Sequence, residues 1–446
     1  MSITPCFISG CLIYAALQGG VLPQEPVNPA VARVMLTQSE IERRTNLWLT
    51  KYRRFVQKTT LGKTREGRPI HVFKIDTHSP KNREHKETVL LAGIHPREQQ
   101  PSQNLIRFID ELLSRYGTDT QVTDTLDRQV LWVIPSFNVD GKIHDETERD
   151  WRKNRVPNDD GSFGVDLNRN FAVRWGGGRL FDTTWKTTTT VPSSNIYEGS
   201  SPLSEPETKA LAGFFEAHPR IVAFLDIHSP LREILFPPYA TLTDGERMLE
   251  TAVAMQKAQQ NGPYKITKAA FGSEPPEDER SGNSGLTYHH AYYLRGIFGF
   301  NFEISNPERT TGLSGRYPSI ESADVEYEKN VRDAWLVWLD HAPTFPLMTL
   351  GNARARGEAR TLKPARAGTV FGWLPPEILG DVEWAILTSD DPRIQCVSEI
   401  RRAPFKNPFT LRISVGVPTG SRLELRLTVW GTNKSRTVIT VPLLVQ

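Results

Sequence analysis

The sequence predicts an α/β domain over residues 38–342, followed by an all-β sandwich over 347–446. Three observations predict it. Continuous apolar runs at 87–94, 129–137, 220–229 and 296–305 read as strands covered on both faces. Between them lie stretches whose apolar residues recur at helical spacing, and strands alternating with helices make an α/β domain. Beyond HAPTFP (341–346) the pattern turns to short, β-branched, partly alternating runs separated by Gly, Pro and Asn, the mark of a small sandwich.

The elements follow in order. The chain opens MSITPCFISGCLIYAALQGG. Its apolar run from Cys6 to Leu17 has the length of a signal-peptide core and is too short for a membrane span, so residues 1–20 read as a signal peptide despite the missing positive charge. Ile8-Ser9-Gly10-Cys11 also fits a lipoprotein box, which leaves a lipid anchor at Cys11 as the alternative. Residues 21–37, rich in Pro, read as a linker or arm. The strand at 87–94 leads to a helix starting near Pro101, where Leu105, Ile106, Ile109, Leu112 and Leu113 share a face. Ser204-Glu205-Pro206-Glu207 opens another helix, with Ser204 as cap and Glu207 reaching back. Helical stretches are expected over 246–260 and 322–339, and the Thr run at 187–190 reads as a surface loop.

Composition narrows the class. Hydrophobic residues at 38% and charged residues at 24% suit a soluble globular chain. A net charge of +3, with only short basic groups such as Arg53-Arg54 and Arg401-Arg402, argues against a nucleic-acid partner. The three cysteines, Cys6, Cys11 and Cys396, cannot form a disulfide framework. If the first segment is cleaved, Cys396 remains as a small core residue.

Several motifs carry chemistry. His95 and Glu98 lie in GIHPREQ, just after a buried strand, where α/β proteins place ligands. Alone, this H-x-x-E is as readily a loop ion pair involving Arg97. His228, in FLDIHS, ends another apolar strand, and two His with one Glu form a known ligand set for catalytic zinc. GVDLNRNF (164–171) places Asn168 beside Arg169, a pairing suited to gripping a carboxylate, or an ordinary loop arginine. DWRKNR (150–155) holds Arg152 and Arg155. Glu303 sits inside the apolar run FNFEIS, a costly position unless the carboxylate is paired or functional.

HPRE, WRKNR, GVDLNRNF, YEGSSPLSEPET, DIHS and FNFEIS occur in the order found in the M14 zinc carboxypeptidases, and residues 38–342 resemble that family. LGKTREGRPIHVFKI (61–75) is similar to its first sheet hairpin. The resemblance implies a mixed eight-stranded sheet flanked by helices, with one zinc ion at its carboxyl edge. It implies that His95, Glu98 and His228 bind zinc, that Arg152 polarises the scissile carbonyl, and that Asn168 and Arg169 bind the substrate's terminal carboxylate. Arg97 joins these as a candidate substrate contact. Glu303 would be general base and then general acid, and Asp166 would orient His95. The implied substrate is a peptide or protein with a free C-terminal carboxylate.

Two departures bear on specificity. Family members carry a mobile Tyr about twenty residues before the catalytic Glu, yet that count lands near Ser281, and neither Tyr264 nor Tyr288 matches cleanly. The segment 283–290 aligns only with a gap, so the specificity pocket is not readable, and His289 and His290 are pocket wall or surface rather than a second metal site. The expected protein is secreted or periplasmic, made active without an inhibitory propeptide, and without a membrane span. A peptidoglycan-peptide amidase or deacylase on the same fold, or a catalytically silent binding protein, are the alternatives.

Overall fold

The computed structural model describes residues 36–82, 86–173, 175–176, 188–237, 242–267, 285–304 and 317–343, with most strands and several turns between 349 and 445. The N-terminal segment with Cys6 and Cys11, most of the arm at 21–37 and the stretch around Ser281 lie outside the described residues.

A capping box opens the first helix, α1 (Gln38–Lys51): the Thr37 hydroxyl accepts from the Glu40 amide, and the Glu40 carboxylate accepts from the Thr37 amide at 2.8 Å. An antiparallel hairpin follows, β1 (Val56–Lys63) and β2 (Pro69–Ile75). Next come β3 (Glu87–Ala92), α2 (Gln99–Arg115), α3 (Thr120–Asp127), β4 (Val130–Ile134) and α4 (Val139–Thr147). A long excursion follows, and its described residues include the 3₁₀ turn Leu167–Arg169. It returns to α5 (Pro206–Ala217), β5 (Ile221–His228), β6 (Glu233–Leu235), α6 (Leu242–Lys257) and β7 (Lys265–Thr267). The last elements are α7 (Thr287–Arg295), β8 (Phe298–Glu303), α8 (Ile320–Glu326), a π-helical turn at Tyr327–Val331 and α9 (Arg332–His341).

The eight strands form one mixed sheet in the order β1-β2-β4-β3-β5-β8-β6-β7. At its centre β4, β3, β5 and β8 run parallel, while β2 and β6 are antiparallel to the neighbours they meet. The central runs are continuously apolar because both faces are covered. Leu90, Leu225 and Phe300 point into a core shared with Trp48 of α1, Leu105 of α2 and Trp335 of α9. Their strand neighbours Val89 and Phe224 point the other way, onto Leu211 and Phe215 of α5 and Ala291 of α7. Fully burying a side chain of this size contributes roughly 1.5–3 kcal/mol, so both faces fix strand register. No helix among the described residues is long and apolar enough to cross a membrane.

Some expectations need correction. Ser204 does not cap α5: the helix begins at Pro206 with Glu205 as its N-cap residue and no side-chain cap bond. The Ser204 hydroxyl is engaged elsewhere, accepting from the Asn170 amide at 2.9 Å and donating to Glu205 at 2.8 Å. The Thr run is not wholly a surface loop, because Thr188 is buried and its hydroxyl donates to Glu198. The helix expected over 322–339 is continuous in the chain but interrupted by the π-helical turn.

Beyond residue 343 the described strands include Val370–Trp373, Val382–Thr388, Phe409–Ile413, Arg422–Gly431 and Ser435–Leu444. They contribute to a five-stranded and a three-stranded sheet. Cys396 lies in the strand Ile394–Cys396, and its side chain is outside the described ones.

Candidate active site

Parallel β3, β5 and β8 end at one edge of the sheet, and the site is built there. The last residue of β5, His228, stands opposite Glu303, the last of β8. His95 follows β3 in the turn that leads to α2, and Glu98 is the N-cap residue of that helix. A cap residue usually bonds its own helix, but the Glu98 side chain makes no cap bond. Its carboxylate turns into the site instead. One oxygen lies 2.8 Å from Nδ1 of His95 and the other 3.0 Å from Nδ1 of His228. One ligand atom from each of the three residues lies within 4.8 Å of the others, and all three side chains are buried.

The outer nitrogens of both imidazoles are held. Nε2 of His95 lies 3.1 Å from Oδ1 of Asp166, the partner implied by the sequence resemblance. Nε2 of His228 lies 3.1 Å from Asp226 and 3.2 Å from the Asn168 amide nitrogen. Asp226 was missed in the sequence. Strand alternation was the available signal, since it sits two residues before His228 on the same face. Thr287 adds a hydroxyl donated to Asp226 and a backbone N–H donated to Asn168 at 3.0 Å. With both outer nitrogens fixed, each ring presents Nδ1 inward, as a metal ligand requires.

Arg152 lies beside the ligands. Its Nε donates to Asp166 at 2.9 Å, its Nη2 lies 2.8 Å from the same oxygen, and its Nη1 is 3.8 Å from Glu98. A buried tether holds this segment in place. The Tyr317 hydroxyl donates to Asp145 at 2.8 Å and accepts from the Asp150 amide at 2.8 Å, while Asp145 also accepts from the Trp151 amide. Arg155, from the same motif, is turned away and stacks over Trp151 and Phe163. Arg169 lines the cleft and donates from Nη1 to the Asn168 carbonyl at 2.7 Å. Arg97 lines it too, with Nη1 3.4 Å from Asp150. His289 and His290 do not line the cleft: His289 packs on Tyr288 and Tyr293, and His290 on Phe171. Tyr264 is buried away from the site with its hydroxyl on Glu326, whereas Tyr288 lines the cleft.

The charges divide into two kinds. Burial opposes ionisation of Glu98 and Asp166, yet His95 and His228 around the first, and Arg152, His95 and Arg169 around the second, hold both carboxyls well below their ordinary range. Glu303 goes the other way. Burial, reinforced by the nearby Glu98 charge and only partly offset by His228 and Arg152, pushes it up to about 7. Among the described residues its carboxylate accepts a long hydrogen bond from the Leu231 amide, at 3.4 Å. A cleft of about 280 Å³ is lined by these residues together with Leu231, Leu235, Leu286, Tyr288 and Asn301.

The Peptidase_M14 zinc carboxypeptidase profile matches residues 41–322. The chain belongs to this family. It is similar to mast cell carboxypeptidase A of Mus musculus, at 36% identity over 196 residues, which cover 43% of this chain and 44% of the relative. Carboxypeptidase A1 of Mus musculus is 28% identical over 312 residues, 68% of each chain. The chain thus spans under half the length of the first relative it matches. Among solved structures, bovine thrombin-activatable fibrinolysis inhibitor in complex with tick carboxypeptidase inhibitor gives a TM-score of 0.56 at 24% identity, covering 69% of this chain and 97% of that one. Carboxypeptidase A from Helicoverpa armigera gives 0.56 at 21%, covering 68% and 74%. These two likenesses establish the zinc carboxypeptidase fold.

Proposed function

We propose that this protein is a zinc metallocarboxypeptidase that removes the C-terminal residue of peptides or proteins. What carries the reading is the meeting in one cleft of a His–Glu–His ligand set, a buried carboxyl raised to about 7, and arginines on either side. His95, Glu98 and His228 would hold the ion through Nδ1, a carboxylate oxygen and Nδ1, and this donor set is one that catalytic zinc accepts. When bound, zinc supplies Lewis acidity toward water and the scissile carbonyl.

The chain's own residues do the rest. Arg169 would pair with the substrate's terminal carboxylate. Asn168 would assist: its side-chain amide carries two N–H donors and lines the same cleft as Arg169. Arg97 adds positive charge at the same cleft. An internal peptide bond offers no charge to these groups, so the arrangement favours an exopeptidase. Arg152, fixed by Asp166, stands ready to stabilise negative charge developing on the carbonyl oxygen. Glu303 takes a proton from the attacking water and passes it to the leaving amine, and a carboxyl poised near neutrality can do both.

Secretion or periplasmic export, and a structural role for the C-terminal β region as a sandwich packed on the catalytic domain, complete the proposal. The test compares one peptide as free acid and as C-terminal amide, with zinc supplied. Cleavage of the free acid alone is expected. Equal cleavage of both would remove the exopeptidase assignment and favour an amidase or deacylase.

A further inference from the structure

A second cavity, of about 750 Å³, shares no lining residue with the cleft. Helix α7 separates the two: Tyr288 near its start lines the cleft, and Arg295 at its end lines the cavity. Seven residues of helix between them span about 10 Å. Lys209, Gly213 and Glu216, on one face of α5, form another wall. The facing wall comes from the C-terminal β region, where the strand Arg422–Gly431 supplies Arg426. The volume falls among those of small-molecule sites, about 300–1,000 Å³.

Charge is unbalanced in this cavity. Among its described lining residues Lys209, Arg295 and Arg426 are cationic, and Glu216 is the one carboxylate. His290 lies in the lining too and adds no negative charge. Glu216 offsets little: its side chain is 60% exposed and stands 3.9 Å from Nη1 of Arg295. Arg426 has a carboxylate outside the cavity, with its Nε 3.9 Å from the exposed Glu424. Burial lowers the pKa of the Arg295 guanidinium; Glu216 counters this and the nearby Arg426 charge adds to it. Two guanidiniums from segments far apart in the chain thus bear on each other, and an anion between them turns that repulsion into attraction.

We propose that this cavity is a second ligand site, separate from the cleft, and that it takes a phosphate monoester. Arg295 and Arg426 grip the phosphate from opposite walls, Lys209 adds a point charge at the rim, and Leu203 and Leu294 receive the organic body. Guanidinium groups match phosphate oxygens in pairs, whereas an ammonium contributes charge alone. Three cations against one carboxylate call for a doubly charged head rather than a single charge. Because the walls belong to the helices beside the main sheet and to the C-terminal β region, an occupied cavity ties the two together.

The test is calorimetric titration of phenyl phosphate into the zinc-loaded full chain, with inorganic phosphate and benzoate as companions. Wild type is compared with Arg295→Gln, Arg426→Gln, Gly213→Phe and Arg169→Gln. The expected result is one phenyl phosphate per chain, bound more tightly than inorganic phosphate and at least about tenfold more tightly than benzoate, which carries the same ring with a single charge. Affinity should fall at least about tenfold in Arg295→Gln and in Arg426→Gln, and stay at the wild-type value in Arg169→Gln, which alters the cleft alone. Gly213→Phe tests the cavity without touching a charge. A Cβ built on Gly213 meets no atom within 4 Å, so a ring there enters the open space, and a helix gains by losing a glycine. That variant should keep its melting temperature and lose the ligand. Phenyl phosphate should raise the melting temperature of wild type and of Arg169→Gln, and leave that of the three cavity variants unmoved. Absence of saturable binding, equal binding in the cavity variants, or binding lost in Arg169→Gln instead, each overturns the proposal.

Discussion

At the scale of single residues, the proposed reaction depends on Glu303 as the proton carrier. Replacing it with Gln keeps the shape and removes the base, so Glu303→Gln should bind zinc stoichiometrically and lose roughly 10²–10⁴-fold in kcat. Metal analysis and turnover on the same sample check this, and unchanged turnover would refute the mechanism. The residues that meet in the cleft were largely legible. His95, His228 and Glu303 are polar residues at the ends of otherwise apolar strands, and that contrast is visible in a sequence. Their supports were less so. Asp226 is signalled only by alternation with His228. Tyr317 could not be found, because it bonds Asp145 from 172 residues away and nothing local marks the pairing.

At the scale of elements, short connections set the positions of the groups proposed to bind the substrate. Gly285 has φ +68, and a Cβ built there would lie 2.0 Å from the Arg169 carbonyl oxygen. Its backbone also bonds the same loop, accepting from the Phe171 amide at 3.1 Å and donating to Val173 at 2.9 Å. Gly285→Ala should therefore displace Arg169 and raise KM for free-acid peptides by about tenfold, more than it lowers kcat, since misplacing a binding group can cost up to about 10²-fold. Steady-state kinetics checks it, and a KM equal to wild type would contradict it. Glu207, in the first turn of α5, makes a second prediction. It is fully buried, one carboxylate oxygen has no hydrogen-bond partner among the described residues, and burial, with the Glu205 charge adding to it, raises its pKa from the ordinary 4.5 to about 7. A raised folded-state pKa means that the stabilisation is fully present below about 4.5 and is lost as pH rises through about 7. The loss amounts to about 3 kcal/mol. Glu207→Gln should thus gain melting temperature over wild type between pH 5 and pH 8, and parallel profiles would contradict this. The same helix shows why element boundaries were harder to read than elements. Ser204 has the sequence of a cap, but Asn170, distant in sequence, competes for its hydroxyl.

At the scale of the whole molecule, the four central strands were legible, whereas the short β6 and β7 and the strand order were not. Continuous apolar runs announce buried strands, but nothing local says that β4 inserts between β2 and β3, since such pairings join residues far apart in the chain. The eight-stranded arrangement was available only through the motif resemblance. The C-terminal β region has a physical tie to the rest: Ile386, on the strand Val382–Thr388, belongs to the buried apolar cluster that includes Phe298 and Phe300. Ending the chain after Pro343 should therefore lower soluble yield and melting temperature while the surviving protein keeps the proposed peptidase activity, and an unchanged melting temperature would contradict the structural role. The central claim, that the cleft removes one residue at a time from a carboxylate end with a metal held by His95, Glu98 and His228, is tested most directly by mass spectrometry. A free-acid peptide incubated with zinc-loaded protein should shorten by single residues from its C-terminus, stop when the metal is chelated and resume when zinc is returned. Internal fragments, or shortening indifferent to chelation, would contradict it.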